Sequence, residues 1–459
     1  MISLPGIVLI DDTESELDQL HKGFIKAGYP CFPIKFVNDD IENYSGIDHV
    51  KLDFLNPRVV LIDLNLYENP KIDPTVLAGP IAEILKKVIK DGPYILYFWS
   101  KNEKDAQGVI EVLTSRFPNL KLPLEWGVLS KTEFLNDNEG LTNRISKLLE
   151  DNKMFYSLFN WENKIYTAAQ ATTDSLFNLA KPSTSKDIDD FKEQTTTKLQ
   201  AMIAAIGNET LGVRNAKEEP DIAIELGLEP VLHSHIRAIS EGSNPSMWID
   251  AAQGVGTKLD ASLYEDVKAQ LNSFFHIEDL NDGSPKDRRG SWLEFKPEYF
   301  EDESNTSNIK KNLGRKIKAL INEEFFDSSQ GDSDKRSEAH SKIKLGFIEL
   351  SAECDQAQRK TKMNRYFLSA MIPKEYENFT FFREGARDKA HEGIYRLPNL
   401  IVNRQEYIVK ISFMYQFGAI PNSSKWLGRP IFRLKDQILS DISFKASQHA
   451  SRPGIIRFD

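Results

Sequence analysis

Apolar residues in the first 150 positions gather in short unbroken runs, each followed by a stretch with helical spacing. Gly6, Ile7, Val8, Leu9 and Ile10 lead into Asp11 and Asp12; Val59, Val60, Leu61 and Ile62 end in Asp63; Tyr94 to Phe98 precede Ser100; Trp126 to Ser130 precede Lys131. Runs this continuous suit strands covered on both faces, as in a parallel sheet, whereas a half-exposed strand would alternate. Between them, residues 13–27 place Leu17, Leu20, Phe24 and Ile25 on one side of a helix that Gly28 closes, and residues 81–89 and 106–117 read as further helices. The repeated alternation of strand and helix predicts a doubly wound parallel sheet.

Beyond residue 150 the pattern changes twice. Phe155, Leu158, Phe159, Ile165, Leu176 and Leu179 recur at three- and four-residue steps, and a turn at 182–185 separates that helix from another at 188–206. Residues 208–341 mix helical stretches with polar loops at 302–308 and 328–334. From residue 342 the chain turns β-rich, with strands expected at 345–350, 366–371 and 406–414 and a closing amphipathic helix at 434–448. The expected organisation is an α/β domain over 1–150, a mainly helical middle region over 151–341, and a β-rich α+β domain over 342–459.

Length and composition agree with several cores: 459 residues exceed what one ordinary core holds, and 40% hydrophobic with 27% charged residues is the profile of a folded chain. No run approaches the ~20 apolar residues of a membrane-spanning helix. Met1 to Gly6 lack the basic flank of a signal peptide, so a cytoplasmic location is expected. The net charge of −10 is uneven: residues 342–459 hold 20 basic and 12 acidic side chains, the rest 38 and 56. A basic tail could face a polyanion or the acidic front, but ordinary solvated surfaces are the favoured reading of both portions.

The chemistry lies at the ends of the strands. In an open α/β sheet, ligands bind beyond the carboxyl ends of the strands, and Asp11, Asp12, Asp63, Ser100 and Lys131 all fall there. Three converging carboxylates repel one another unless a hard, oxygen-preferring cation such as Mg²⁺ sits among them. In order and in kind, these residues resemble the receiver domain of bacterial two-component response regulators, a flavodoxin-like fold. The resemblance covers about the first 150 residues. It implies that Asp63 is the phosphoacceptor, that Asp11 and Asp12 bind Mg²⁺ with Asp63, and that Asn65 adds its backbone carbonyl. It further implies that Ser100 is the switch hydroxyl, that Lys131 pairs with the phosphoryl group, and that a histidine kinase or phosphotransfer protein of a phosphorelay is the donor. Three features depart from the family: loops are long, with 51 residues from Asp12 to Asp63; Thr132 stands where Pro is common; and Val128 replaces the aromatic that often reports phosphorylation.

Outside that domain the candidates are sparser. Cys354 with Asp355 and His391 could form an effector site, against the plain reading of a small buried thiol beside a turn. His233 and His235, two apart on one helix, point to different sides of it. Aromatic and basic residues interleave over 383–396, and Trp426, Arg429, Phe432 and Arg433 follow, an arrangement that fits nucleic acid but fits a β-rich core better. The expected function is therefore a phosphorylation-responsive regulator with a non-standard output domain and a possible homodimer contact through the helical segment. Its rivals are an output domain that is itself an enzyme or nucleic-acid binder, and an adaptor whose receiver never turns over phosphate.

Overall fold

In a computed structural model of the chain, the described residues are 6–37, 46–52, 56–68, 73–101, 103–134, 137–240, 246–252, 254–260, 262, 264–265, 267–296, 314–326, 333–352, 355–356, 360–380, 393–420 and 427–451. They divide into two compact units, residues 1–171 with 234–257 and residues 172–233 with 258–459.

The first unit is a five-stranded, all-parallel sheet flanked by helices. Its strands are β1 (Ile7–Asp11), β2 (Phe32–Lys35), β3 (Val59–Asp63), β4 (Ile95–Ser100) and β5 (Glu125–Ser130), in the order β2-β1-β3-β4-β5. That order is the flavodoxin-like one, with the chain reversing direction across the sheet at β1 and β3. Every residue of β1, β3 and β4 is buried, which is why their sequences lack alternation. Odd and even positions serve opposite cores. Val8, Ile10, Val60, Ile62, Leu96 and Phe98 pack with Leu77, Ile81, Leu85, Val109 and Leu113 from α2 (Pro74–Val88) and α3 (Ala106–Arg116). Ile7, Leu9, Val59, Leu61, Ile95 and Trp99 pack with Leu17, Leu20, Phe24, Leu141 and Ile145 from α1 (Glu14–Lys26) and α5 (Asn138–Asp151). A one-turn helix, α4 (Lys131–Phe134), joins β5 to α5.

Local chemistry sets the ends of these helices. Gly28 at φ +83° closes α1: its N–H bonds Ile25 O, and Tyr29 N–H bonds Phe24 O, so two orphan carbonyls are satisfied in a Schellman turn. Ile25, assigned to the buried face by spacing, is 52% exposed instead, because the face is centred on Leu17, Leu20 and Phe24. Asp73 caps α2 by accepting from Thr75 N–H at 2.8 Å, with Pro74 at the first helical position, so that helix starts before the expected residue 81. Strand β2 escaped the sequence reading: only four residues long, it sits at the sheet edge with a single fully buried side chain.

The second unit opens with helices. Helix α6 (Lys153–Ala180) runs from the first unit into it, and α7 (Ile188–Leu211), α8 (Val213–Glu218) and α9 (Pro220–Ser240) follow. The helix α10 (Ser246–Ala251) belongs to the first unit; in the second, α11 (Lys268–His276) is followed by an eight-stranded antiparallel sheet. Its strands are β6 (Ile277–Asp279), β7 (Ser291–Phe295), β8 (Lys344–Glu349), β9 (Asn364–Pro373), β10 (Ile394–Arg396), β11 (Leu400–Val402), β12 (Gln405–Ala419) and β13 (Leu427–Leu434), ordered β10-β12-β9-β8-β7-β13-β6 with β11 against β12. Helices α12 (Ile317–Glu324) and α13 (Ser333–Lys342) cover one face, and α14 (Asp436–Ala450) covers the other. The sheet thus takes β6 and β7 from a stretch read as helices and polar loops. Residue 342 is not where it begins, since β7 pairs β8 across nearly 50 residues of chain and local pattern carries no trace of that pairing.

Candidate functional site

Parallel strands leave their last residues along one edge of the sheet, and β1, β3, β4 and β5 end at Asp11, Asp63, Ser100 and Ser130. Lys131 starts α4 immediately after β5. Asp12, Asp63, Asn65, Ser100 and Lys131 line one cavity of about 250 Å³, and the buried Asp11 accepts from Lys131 at 2.8 Å. The residues expected from the sequence to act together therefore meet, although they are spread over 120 positions.

Asp11 is fully buried; one of its oxygens accepts from Thr13 N–H at 2.8 Å and the other from Lys131. Burial pushes its carboxyl up to about 7, the Lys131 ammonium offsetting only part of that cost and Asp63 adding to it. The half-buried Asp12 is raised for the same reasons, burial first and the charge of Asp63 second. For Lys131, burial favours the neutral amine, but Asp63 at 3.2 Å and Asp11 hold the ammonium firmly charged. Asp11, Asp12 and Asp63 each offer an oxygen, all within 4.8 Å of one another.

Three residues of the site were not foreseen. Glu16, in the first turn of α1, accepts from Lys131 at 2.7 Å and from Lys101 at 2.7 Å. Burial opposes its charge, yet the two ammoniums keep its carboxyl below the ordinary value. Glu68 lines the cavity from a turn at φ +49°, its N–H bonded to the carbonyl of Asn65 at 3.0 Å. Position in sequence gave a weak signal for Lys101, next to Ser100 at a strand end, and for Glu16, four residues past Asp12 on the first helical turn.

The donor set fits a hard divalent cation. Oxygen ligands alone converge, two of the three carboxyls are strained by burial and mutual repulsion, and a cation would relieve both. Such a set can also present a carboxylate nucleophile, Asp63, in one cavity with a buried hydroxyl, Ser100, and an ammonium 3.2 Å away, Lys131.

Elsewhere the chemistry is thinner. Asp355 is exposed, and Cys354 and His391 lie outside the described residues, as do Trp426 and most of 383–396. A larger groove of about 560 Å³ lies among α7, α8 and α9, but Leu199, Ile203, Ala204, Ala223 and Ile224 make it hydrocarbon apart from Gln200, Asn208 and Lys217. With no cluster of acids or nucleophiles in its lining, it has no reaction to offer. Among the described residues no helix is long and apolar enough to cross a membrane. Compared with protein-family models, curated proteins and solved structures, the chain matches none.

Proposed function

We propose that the parallel-sheet unit is a response-regulator receiver and that Asp63 accepts a phosphoryl group. The observation that carries this reading is the meeting of Asp11, Asp12, Asp63, Ser100 and Lys131 around one small cavity at the carboxyl edge of a sheet in flavodoxin-like order. In the reaction a carboxylate oxygen of Asp63 attacks phosphorus. The N–P bond of a phosphohistidine, on a histidine kinase or phosphotransfer protein, breaks as the O–P bond of the acyl phosphate forms. Lys131 is already charged and 3.2 Å from Asp63, so it can take a developing phosphoryl oxygen without first gaining a proton. Ser100, buried at the end of β4, offers a hydroxyl to the same group. Asp11, Asp12, Asp63 and the Asn65 carbonyl would hold Mg²⁺, which when bound neutralises charge between the carboxylates and the incoming phosphoryl oxygens.

On this reading the chain catalyses only its own acyl-phosphate chemistry, works in the cytoplasm beside its kinase, and delivers its output through the antiparallel-sheet unit. Incubation with acetyl phosphate and Mg²⁺, followed by phosphate-affinity electrophoresis, tests it. The wild-type chain gives a retarded band that Asp63→Asn lacks; an equal band from the variant moves the acceptor elsewhere.

A further inference from the structure

Glu16 and Lys101 have no place in the receiver reading, yet they are wired into its cavity. An ammonium has three N–H bonds, and Lys131 has three carboxylate oxygens around it: Asp11 at 2.8 Å, Glu16 at 2.7 Å and Asp63 at 3.2 Å. A phosphoryl oxygen that bonds Lys131 competes with these carboxylates for its three N–H groups. Lys101 is placed differently. It follows Ser100 at the end of β4, lines the same cavity, keeps 56% of its side chain exposed, and bonds Glu16 at 2.7 Å. Two ammoniums repel, and Glu16 offsets that repulsion by giving one oxygen to each, Oε1 to Lys101 and Oε2 to Lys131.

We propose that Lys101 is a second cationic ligand for the phosphoryl group on Asp63 and that Glu16 is the positioning residue that holds it beside Lys131. The proposal rests on the receiver reading. A phosphoryl group presents three terminal oxygens, each able to accept more than one bond, so Mg²⁺, Lys131 and Ser100 leave acceptor capacity for a second ammonium, and Lys101 lines the same cavity. Its exposed side chain can turn from Glu16 to the anion.

The test is binding to the full chain of beryllofluoride, a mimic of the aspartyl phosphate, at saturating Mg²⁺, together with binding of Mg²⁺ alone. Lys101→Gln weakens beryllofluoride binding by roughly tenfold, the loss that goes with one hydrogen bond to a charged group. It also tightens Mg²⁺ binding about twofold, because a positive charge has left the cavity. Lys101→Arg, which keeps charge and donors, stays near wild type. Opposite signs for anion and cation separate a ligand from a prop, since a structural defect weakens both. If Lys101→Gln binds beryllofluoride as the wild type does, or loses both ligands in parallel, the role of Lys101 is overturned while the receiver reading stands. If the wild-type chain itself fails to bind beryllofluoride, the receiver reading falls and this proposal with it.

Discussion

Buried ionisable groups tie stability to pH, and one of them lies away from the acidic cavity. Glu349, the last residue of β8, is fully buried; Oε1 accepts from Ser351 N–H at 3.0 Å, and Oε2 has no hydrogen-bond partner among the described residues. Burial pushes its carboxyl up to about 7, against which the bonds from Ser351 and the charge of Arg289 work only in part. In the unfolded chain the same group loses its proton near pH 4.5. Between these values the folded state holds a proton the unfolded state has released, so stability is greatest below the lower value and falls as pH rises towards 7. The loss is on the order of 3 kcal/mol. Urea denaturation at pH 5 and pH 8 follows it, and Glu349→Gln changes the difference by that amount, leaving the part that belongs to other buried groups such as Asp11. A Glu349→Gln variant whose stability changes with pH as the wild type's does contradicts the account.

Elements are held by close approaches that only particular residues allow. At Gly346 in β8 an added Cβ would come within 2.4 Å of both the Leu293 carbonyl oxygen and the Trp292 ring. The carbonyl is backbone, and the indole is fully buried with its N–H donated to Ser369 Oγ at 2.9 Å, so neither can retreat. Gly346→Ala is therefore expected to cost about 3 kcal/mol, at the upper end of overpacking penalties. The shift in urea midpoint gives the value directly, and a change under 1 kcal/mol shows that the strands can part. In the parallel sheet Gly23 of α1 plays a milder version of the same role: its Cβ would meet Leu141 of α5 at 2.8 Å, but there the neighbour is a side chain.

At the scale of the whole molecule, two units with separate cores predict two unfolding transitions in calorimetry. A ligand raises only the transition of the unit that binds it. Beryllofluoride with Mg²⁺ is expected to shift one transition upward in the wild type and neither in Asp63→Asn. Gly346→Ala is expected to lower the other and leave the ligand-responsive one in place. A ligand that moves both transitions equally would show the units melting as one.

What the sequence determined by itself was the character of each segment and the place of each chemical residue along its own strand. Unbroken apolar runs told of strands buried on both faces, and an acid, hydroxyl or ammonium at each run's end told which edge would carry the chemistry; Asp11, Asp63, Ser100 and Lys131 are found there. Both signals are local, written within five or six residues by side-chain burial. Tertiary structure alone decided three further things. It brought β6 and β7 into a sheet with strands far along the chain, inserted the short edge strand β2, and turned Glu16 and Lys101 towards Lys131. Pairing across long stretches of chain leaves no mark on nearby residues, because the hydrogen bonds that make it belong to the backbone of any sequence. Glu16 and Lys101 read as ordinary charges on a helix and a loop. Only the packing of α1 against the sheet, with Leu17, Leu20 and Phe24 beneath, fixes where Glu16 points and which ammoniums it can reach.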